Sequence, residues 1–419
     1  VVGPSRTKCL GLYESPSLTV GLEHICSCLK YYRDDVLLTS VNVFKSVGDL
    51  IIKLVSEGKK GGKVRVVTSY DIDSVVAAGI ILKYLQQNDI RFEYLTVLDV
   101  ESTSVLDDVP TIAIDVGVKD LKRSLSLIRS ERMDLRKLGT IYEVLTPYYS
   151  YTIFKALEDF MIVTNDVRYY VLASMLSRFT PRVRYQQVDE LLKNYLRELS
   201  DLNIIKVVRG PKLFNYSVYD LNVVLSRSLD LFVPRYSGVK DLKGLSEEDL
   251  IKYVMDCISV FTQMKFSSND LIGDNYIITQ EWVFKDVYEL LYALVSISDV
   301  YGVEYVVTSV LITNYIPLIR FNYEELLKDL ISRVYSVRDG GLVQVRKNVY
   351  KARLDSLVPL TPISKILKSY VTPLNSIIVY EVGNENYLPL SEVSLETIDT
   401  VVKKPFERVG ALLKFKEFK

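Results

Sequence analysis

The chain has 419 residues, more than one typical domain holds, and its 52 Lys plus Arg balance 52 Asp plus Glu. Proteins that act chiefly by coating nucleic acid are basic, so neutral charge confines any such contact to local patches. A single histidine, His24, against 30 tyrosines excludes every mechanism that needs a histidine cluster.

Near the N-terminus "TKCLGLY" reads as a short strand. Val43, Val47, Leu50, Ile51 and Leu54 then recur at helical spacing, which predicts a helix from about Val41. Glycines and charge in "EGKKGGK" break the chain. The alternating, β-branched "KVRVVTS" predicts a strand, and "DSVVAAGIILKYLQQND" a helix with Ser74 as its N-cap. "FEYLTVLDV" and "TIAIDVG" predict two more strands, with "VKDLKRSLSLI" as the helix after the second. This alternation with short links implies an α/β domain built on a doubly wound parallel sheet. Helices follow from Tyr148 to about Ser200, including "YTIFKALEDFMI" and "VRYYVLASMLSRF".

The middle of the chain is charged and reads as helix-rich, with "GVKDLKGLSEEDL" as a hinge-like stretch and the turn residues of "SSNDLIGDN" as a boundary. Beyond it, "EWVFKDVYELLYALVSISDVYG" predicts a helix, and "EYVVTSVLI", "GLVQVRK" and "NSIIVYEVG" predict strands. The expected organisation is an α/β domain over 1–182, a helix-rich segment over 183–274 and a smaller α/β domain over 275–419. No apolar run reaches the roughly 18 residues that span a bilayer, and the first residues lack signal-peptide order. Cys9, Cys26, Cys28 and Cys257 form no C-x-x-C pair. Reduced thiols and a soluble cytoplasmic protein are the expectation.

The residues that point to chemistry are carboxylates. Asp71 and Asp73 lie just past one predicted strand and Asp115 at the end of another. Sites in open α/β sheets form at the carboxyl ends of strands. Spacing of two puts Asp71 and Asp73 on one face of an extended chain. Converging acids suit Mg²⁺ or Mn²⁺, and two such ions would support phosphodiester hydrolysis. Aspartates also favour helix starts for the dipole alone, so a structural role stays open. "RFTPRVRY" interleaves Arg178, Arg182 and Arg184 with Phe179 and Tyr185. That pattern fits either single-stranded DNA contacts or a solvated helix end. "VQVRKNVYKAR" reads as a charged edge strand.

"SYDIDSVVAAGIILKYLQQNDIRFEYLTV" followed by "TIAIDVG" resembles the opening of the DHH phosphoesterases, the superfamily of RecJ. Its first motif, H-x-D-x-D-G, is matched by Asp71 and Asp73, with Ser69 in place of the His and Ser74 in place of the Gly. Asp115 matches the second motif. The D-H-H motif is absent, and Thr180 in "VLASMLSRFTP" stands where a fourth-motif acid belongs. The usual G-G-G-H segment of the DHHA1-like second domain is reduced to Gly410 in "FERVGALLKF", and its N-A-C-G-R is replaced by "YALVS". The resemblance is specific over 64–118, looser over 148–182 and weakest over 275–419. The same opening resembles the branch of the family typified by eukaryotic cell-division-cycle protein forty-five, whose catalytic residues are lost.

The resemblance implies an inactive phosphoesterase fold with no intact catalytic residue. Three carboxylates without imidazole hold two ions poorly, and could at most hold one Mg²⁺ or Mn²⁺ weakly. It further implies an archaeal, RecJ-like scaffold that associates with the GINS complex and, through it, the MCM ring at replication forks. Two alternatives stand beside this expectation: a divalent-metal-dependent nuclease or nucleotide phosphodiesterase using Asp71, Asp73 and Asp115, and a single-stranded DNA-binding module.

Overall fold

The computed structural model describes residues 42–97, 109–116, 124–139, 141–233, 237–238, 266–392, 398 and 401–418. The "TKCLGLY" strand, His24, all four cysteines and all but the first residue of "GVKDLKGLSEEDL" lie outside them.

A helix occupies residues 42–61, with Val43, Val47, Ile51 and Leu54 buried as their spacing implies. Strands β1 (Val64–Thr68), β2 (Phe92–Thr96), β3 (Thr111–Ile114), β4 (Ser124–Arg129), β5 (Asp134–Leu138) and β6 (Ile141–Thr146) form one sheet in the order β2-β1-β3-β4-β6-β5. All its neighbours run parallel except β5 and β6. β1 and β3 are buried at every residue, as strands covered on both faces must be. The chain leaves β1 for β2 and returns to the opposite side of β1 as β3. That reversal opens a crevice beyond the carboxyl ends of β1 and β3, where Asp71 and Asp115 follow.

The helix Ile72–Gln87 is buried almost all round, because it lies between this sheet and the helix Val303–Leu311. Gly79 makes the close approach possible: a Cβ there would come within 2.7 Å of Val310. The ammonium of Lys83 donates to the carbonyls of Val310 and Leu311, capping that neighbouring helix. Gly79→Ala is therefore expected to destabilise the protein by about 1–3 kcal/mol through overpacking, despite alanine's helix preference of about 1 kcal/mol. Urea unfolding checks this, and an unchanged or raised midpoint would contradict the packing.

Further along, β7 (Ile205–Pro211) pairs antiparallel with β8 (Ile272–Ile278) in a two-stranded sheet. A second six-stranded sheet holds β9 (Leu342–Arg346), β10 (Val349–Leu354), β11 (Ile377–Val382), β12 (Glu385–Pro389), β13 (Phe406–Val409) and β14 (Leu412–Phe415). Its order is β13-β14-β12-β11-β10-β9, with only β10 and β11 parallel. Only the first half of "VQVRKNVYKAR" is an edge strand, β9; the second half turns back as β10, which lies inside the sheet between β9 and β11. Gly410, at φ +61°, turns the β13–β14 hairpin against the backbone of Asp299. One hydrophobic core runs from Val43 to Phe415 and joins the two large sheets and the helices between them.

Four expectations are corrected. "SLSLIR" is β4 and not the end of a helix, because Leu125 and Leu127 alternate with Ser124 and Ser126 in a strand covered on both sides. "EYVVTSVLI" belongs to the helix Val303–Leu311: its β-branched residues favour a strand locally, but Val306, Val307 and Val310 bury as a helical face. The preceding helix, Val287–Tyr301, ends at Gly302 with φ +94°, and the next helix starts there. Asp71, not Ser74, is the N-cap of the helix Ile72–Gln87. Its carboxylate accepts from the Asp73 N–H, while the Ser74 hydroxyl donates back to the Asp71 carbonyl. Finally, "SSNDLIGDN" is not a run of turns but a short helix, Ser268–Leu271, running into β8.

Candidate functional site

Asp71, Asp73 and Asp115 do meet in the crevice, and a fourth side chain sits among them. Arg129 ends β4, two strands from β1, and its guanidinium donates to Asp71 at 2.6 Å and to Asp73 at 3.4 Å. It also donates to the Pro147 carbonyl at 3.1 Å and lies over the Tyr149 ring, 4.3 Å from its centroid.

The rest of each carboxylate is engaged as well. Asp73 is wholly buried and accepts from the backbone N–H groups of Tyr149 and Ser150, at 2.8 and 3.0 Å, and from the Ser150 hydroxyl at 2.5 Å. Those N–H groups open the helix Tyr149–Leu157, whose positive end suits an acid. Asp115, at φ +58° in a left-handed conformation that aspartate tolerates, accepts from Ser69 at 2.7 Å and from the Tyr149 phenol at 2.6 Å. Ser69 in turn bonds Ser74 at 3.1 Å. Ser69 and Ser74 thus form one small network with Asp115.

A guanidinium carries one positive charge, where two divalent ions would carry four. Burial pushes the Asp71 carboxyl up to about 6, with Arg129 opposing the shift and Asp73 and Asp115 adding to it. Burial likewise opposes the Arg129 charge, but the three carboxylates outweigh it and raise its pKa. Asp71 holds its proton in the native state at pH values where the unfolded chain has lost it. Its contribution to stability therefore falls as pH rises from about 4 to about 6. Asp71→Asn keeps the cap and removes the titration. Unfolding midpoints measured across this range should drop more for the native chain than for the variant, and parallel profiles would contradict the assignment.

Thr180 and the three arginines separate. The Thr180 hydroxyl accepts from Lys365 at 2.7 Å, a contact from the C-terminal part of the chain. Lys365 and Lys368 both pair with Glu392, at 3.4 and 2.5 Å. Arg178 pairs with Glu131 at 2.6 Å and bonds the Pro147 carbonyl. Arg182 is buried under Tyr288, with its guanidinium 4.0 Å from that ring's centroid. Arg184 sits over Phe266. The three arginines thus point to three places and form no common surface.

A cleft of about 330 Å³ remains, lined on one side by Asp71, Asp115, Arg129 and Arg178 and on the other by Thr361, Lys365 and Glu392. Cations and carboxylates alternate across it. Arg408 of β13 donates to the hydroxyl of Tyr70, the residue before Asp71, at 3.1 Å and pairs with Glu304 at 3.0 Å. Among the described residues no three His, Cys, Asp or Glu side chains are arranged as a metal-binding group. A dinuclear metal centre does not fit these residues, because Arg129 and the Ser150 and Tyr149 donors take the lone pairs that ions would need.

Comparison with known proteins now bears on the fold. No family model and no curated protein matches the chain. Among solved structures, CDC45 from Entamoeba histolytica is similar over 90% of this chain and 96% of that one, at 10% identity and a TM-score of 0.57. The chain has a CDC45-like α/β fold. RecJ from Thermus thermophilus, in complex with Mn²⁺, is similar over 89% of this chain and 52% of its own, at 8% identity and a TM-score of 0.45. No helix among the described residues is long and apolar enough to cross a membrane.

Sequence reasoning found the acids and missed Arg129, Tyr149 and Ser150. The signal for Arg129 was a basic residue closing the apolar run "SLSLI", on the edge of the sheet where the acids emerge. It was hidden by reading that run as a helix.

Proposed function

We propose that this chain is a non-catalytic, RecJ-like scaffold subunit of an archaeal replicative helicase, binding GINS and, through it, MCM at replication forks in the cytoplasm. The observation that carries the reading is Arg129 seated between Asp71 and Asp73. A phosphoesterase built on these acids needs their oxygens for metal and water; here they hold a guanidinium and a helix end. Asp71, Asp73 and Asp115 are then remnants of a metal site, and Ser69, Ser74 and Thr180 mark lost ligands. The CDC45-like fold supports a role in replication. In this reading residues 1–182 form the DHH-like domain, 183–274 an intervening segment and 275–419 a DHHA1-like domain.

Two assays test it. The full chain, incubated with Mn²⁺ or Mg²⁺, should cleave neither single-stranded DNA nor a linear dinucleotide. Tagged in its source cells, it should retain GINS subunits in fixed ratio through moderate salt, with MCM recovered alongside. Cleavage abolished by Asp71→Asn would overturn the non-catalytic reading and favour the nuclease. Recovery of no replication protein would overturn the scaffold reading.

A further inference from the structure

A cavity with a strong charge bias lies away from the acid crevice. It is a groove of about 730 Å³ between the helix Glu190–Asp201 and the β7–β8 sheet, closed at one end by the Arg182–Tyr185 turn. Lys193 and Arg197 stand one turn apart on the helix, with Leu196 beside them. Across from them Arg209 projects from β7, opposite Asp274 of β8. Five cationic side chains line the groove, and among the described residues Asp274 is the only carboxylate in its lining.

Lys193 pairs with Glu190 at 2.8 Å; the other four cations divide into two groups. Arg182 and Lys212 are buried at the base and committed to fixed acceptors. Arg182 donates to the Asp274 carbonyl and the Asn275 amide oxygen, at 2.8 and 2.9 Å. Lys212 donates to the carbonyls of Arg182 and Tyr185, at 2.9 and 3.0 Å. Both side chains thus donate to neutral oxygens, while the buried Asp230 carboxylate accepts from the Arg182 backbone N–H at 2.9 Å; the positive charge available to a ligand is that of the rim. Burial, aided by the nearby Arg182 charge and opposed by Asp230, Asp270 and Asp274, pushes the Lys212 ammonium down to about 8. Arg197 and Arg209 form the rim and are exposed. Arg197 bonds only the Asn194 amide oxygen, at 3.2 Å, and no carboxylate pairs with either arginine among the described residues.

The walls add aromatic surface. Phe179 and Tyr185, both half-buried, meet edge to face with ring centroids 5.7 Å apart, and both line the groove. Rings at the mouth of a basic groove offer a face on which a base can stack. The volume suits one nucleotide. An acidic peptide would use the charge but not the rings.

We propose that this groove binds a phosphorylated nucleoside, with its phosphate at Arg197 and Arg209 and its base against Tyr185 and Phe179. The unit could be a free nucleoside triphosphate or the phosphorylated end of a single strand. The site is separate from the acid crevice and does not depend on the non-catalytic reading.

Fluorescence anisotropy on the full chain tests this with two probes: a fluorescent nucleoside triphosphate and a labelled, 5′-phosphorylated oligothymidylate. Binding of the first alone assigns a free nucleotide; binding of the second assigns a strand end. Either supports the proposal if Arg197→Glu with Arg209→Glu lowers affinity about tenfold or more and Tyr185→Ala lowers it about fivefold or more. If the double reversal fails to fold, Arg209→Gln with Tyr185→Ala is measured instead, with the same expected loss. Absence of binding by both probes, or binding untouched by these substitutions, overturns it. Equal competition by a polyglutamate peptide overturns the nucleotide assignment in favour of an acidic partner.

Discussion

Replacing Arg129 with alanine is expected to destabilise the protein by about 3–5 kcal/mol, the cost of leaving buried charge without its partner. Asp73 is wholly buried and Asp71 lies beside it, so removing the guanidinium leaves two carboxylates facing one another with Asp115 close by. The same variant should acquire a response to Mn²⁺ that the native chain lacks. The vacated position is lined by hard oxygen donors of the kind divalent ions take. An ion bound only by the folded state raises the melting temperature as its concentration rises. Thermal denaturation with and without Mn²⁺ reads both effects. A variant as stable as the native chain would show that Arg129 is not the charge holding the crevice together. A destabilised variant that ignores Mn²⁺ would show that the acids no longer converge well enough to hold an ion.

Asp73→Ala is expected to cost a similar amount, about 3–5 kcal/mol, by a different route. Its carboxylate accepts from the first two N–H groups of the helix Tyr149–Leu157 and from Ser150. Each buried donor left without an acceptor costs about 1–3 kcal/mol. Ser150 also bonds Ser174 at 2.6 Å, so the loss spreads into the helix Asn165–Leu176. Asp71→Ala should cost far less, about 1 kcal/mol for a lost N-cap, because Asp71 accepts from one backbone N–H where Asp73 accepts from two and a hydroxyl. Urea unfolding of the two single variants separates them, and equal losses would contradict the unequal roles assigned here. The pair also warns against a double alanine at Asp71 and Asp73 as a catalytic knock-out: it would unfold the site it is meant to silence. Asp71→Asn is the cleaner probe.

The acids were legible because they are local. Asp71 and Asp73 sit two residues apart at a strand–helix junction, and Asp115 closes an apolar run; each can be read within a short window. Their neutralising partner was not. Arg129 lies 58 residues beyond Asp71 in the chain and reaches it only because β4 runs parallel beside β3. A window around "KRSLSLIR" holds both a helical and a strand spacing, and only the sheet decides between them. The same holds for "EYVVTSVLI", whose composition favours a strand and whose neighbour, the helix carrying Gly79, demands a helix. Both errors arose where tertiary packing overrode local preference. The parallel sheet, the helix Ile72–Gln87 and strands β9 and β11 were legible because spacing, turn residues and burial all agree there.

The most direct test of the account is an Mn²⁺ titration of the native chain, with free ion followed by electron paramagnetic resonance. A crevice filled by Arg129 predicts no stoichiometric uptake, and the signal should track added ion as it does in buffer. One or two ions taken up per chain, and lost on Asp71→Asn, would mean that Arg129 yields to metal and that the acids still form a working centre.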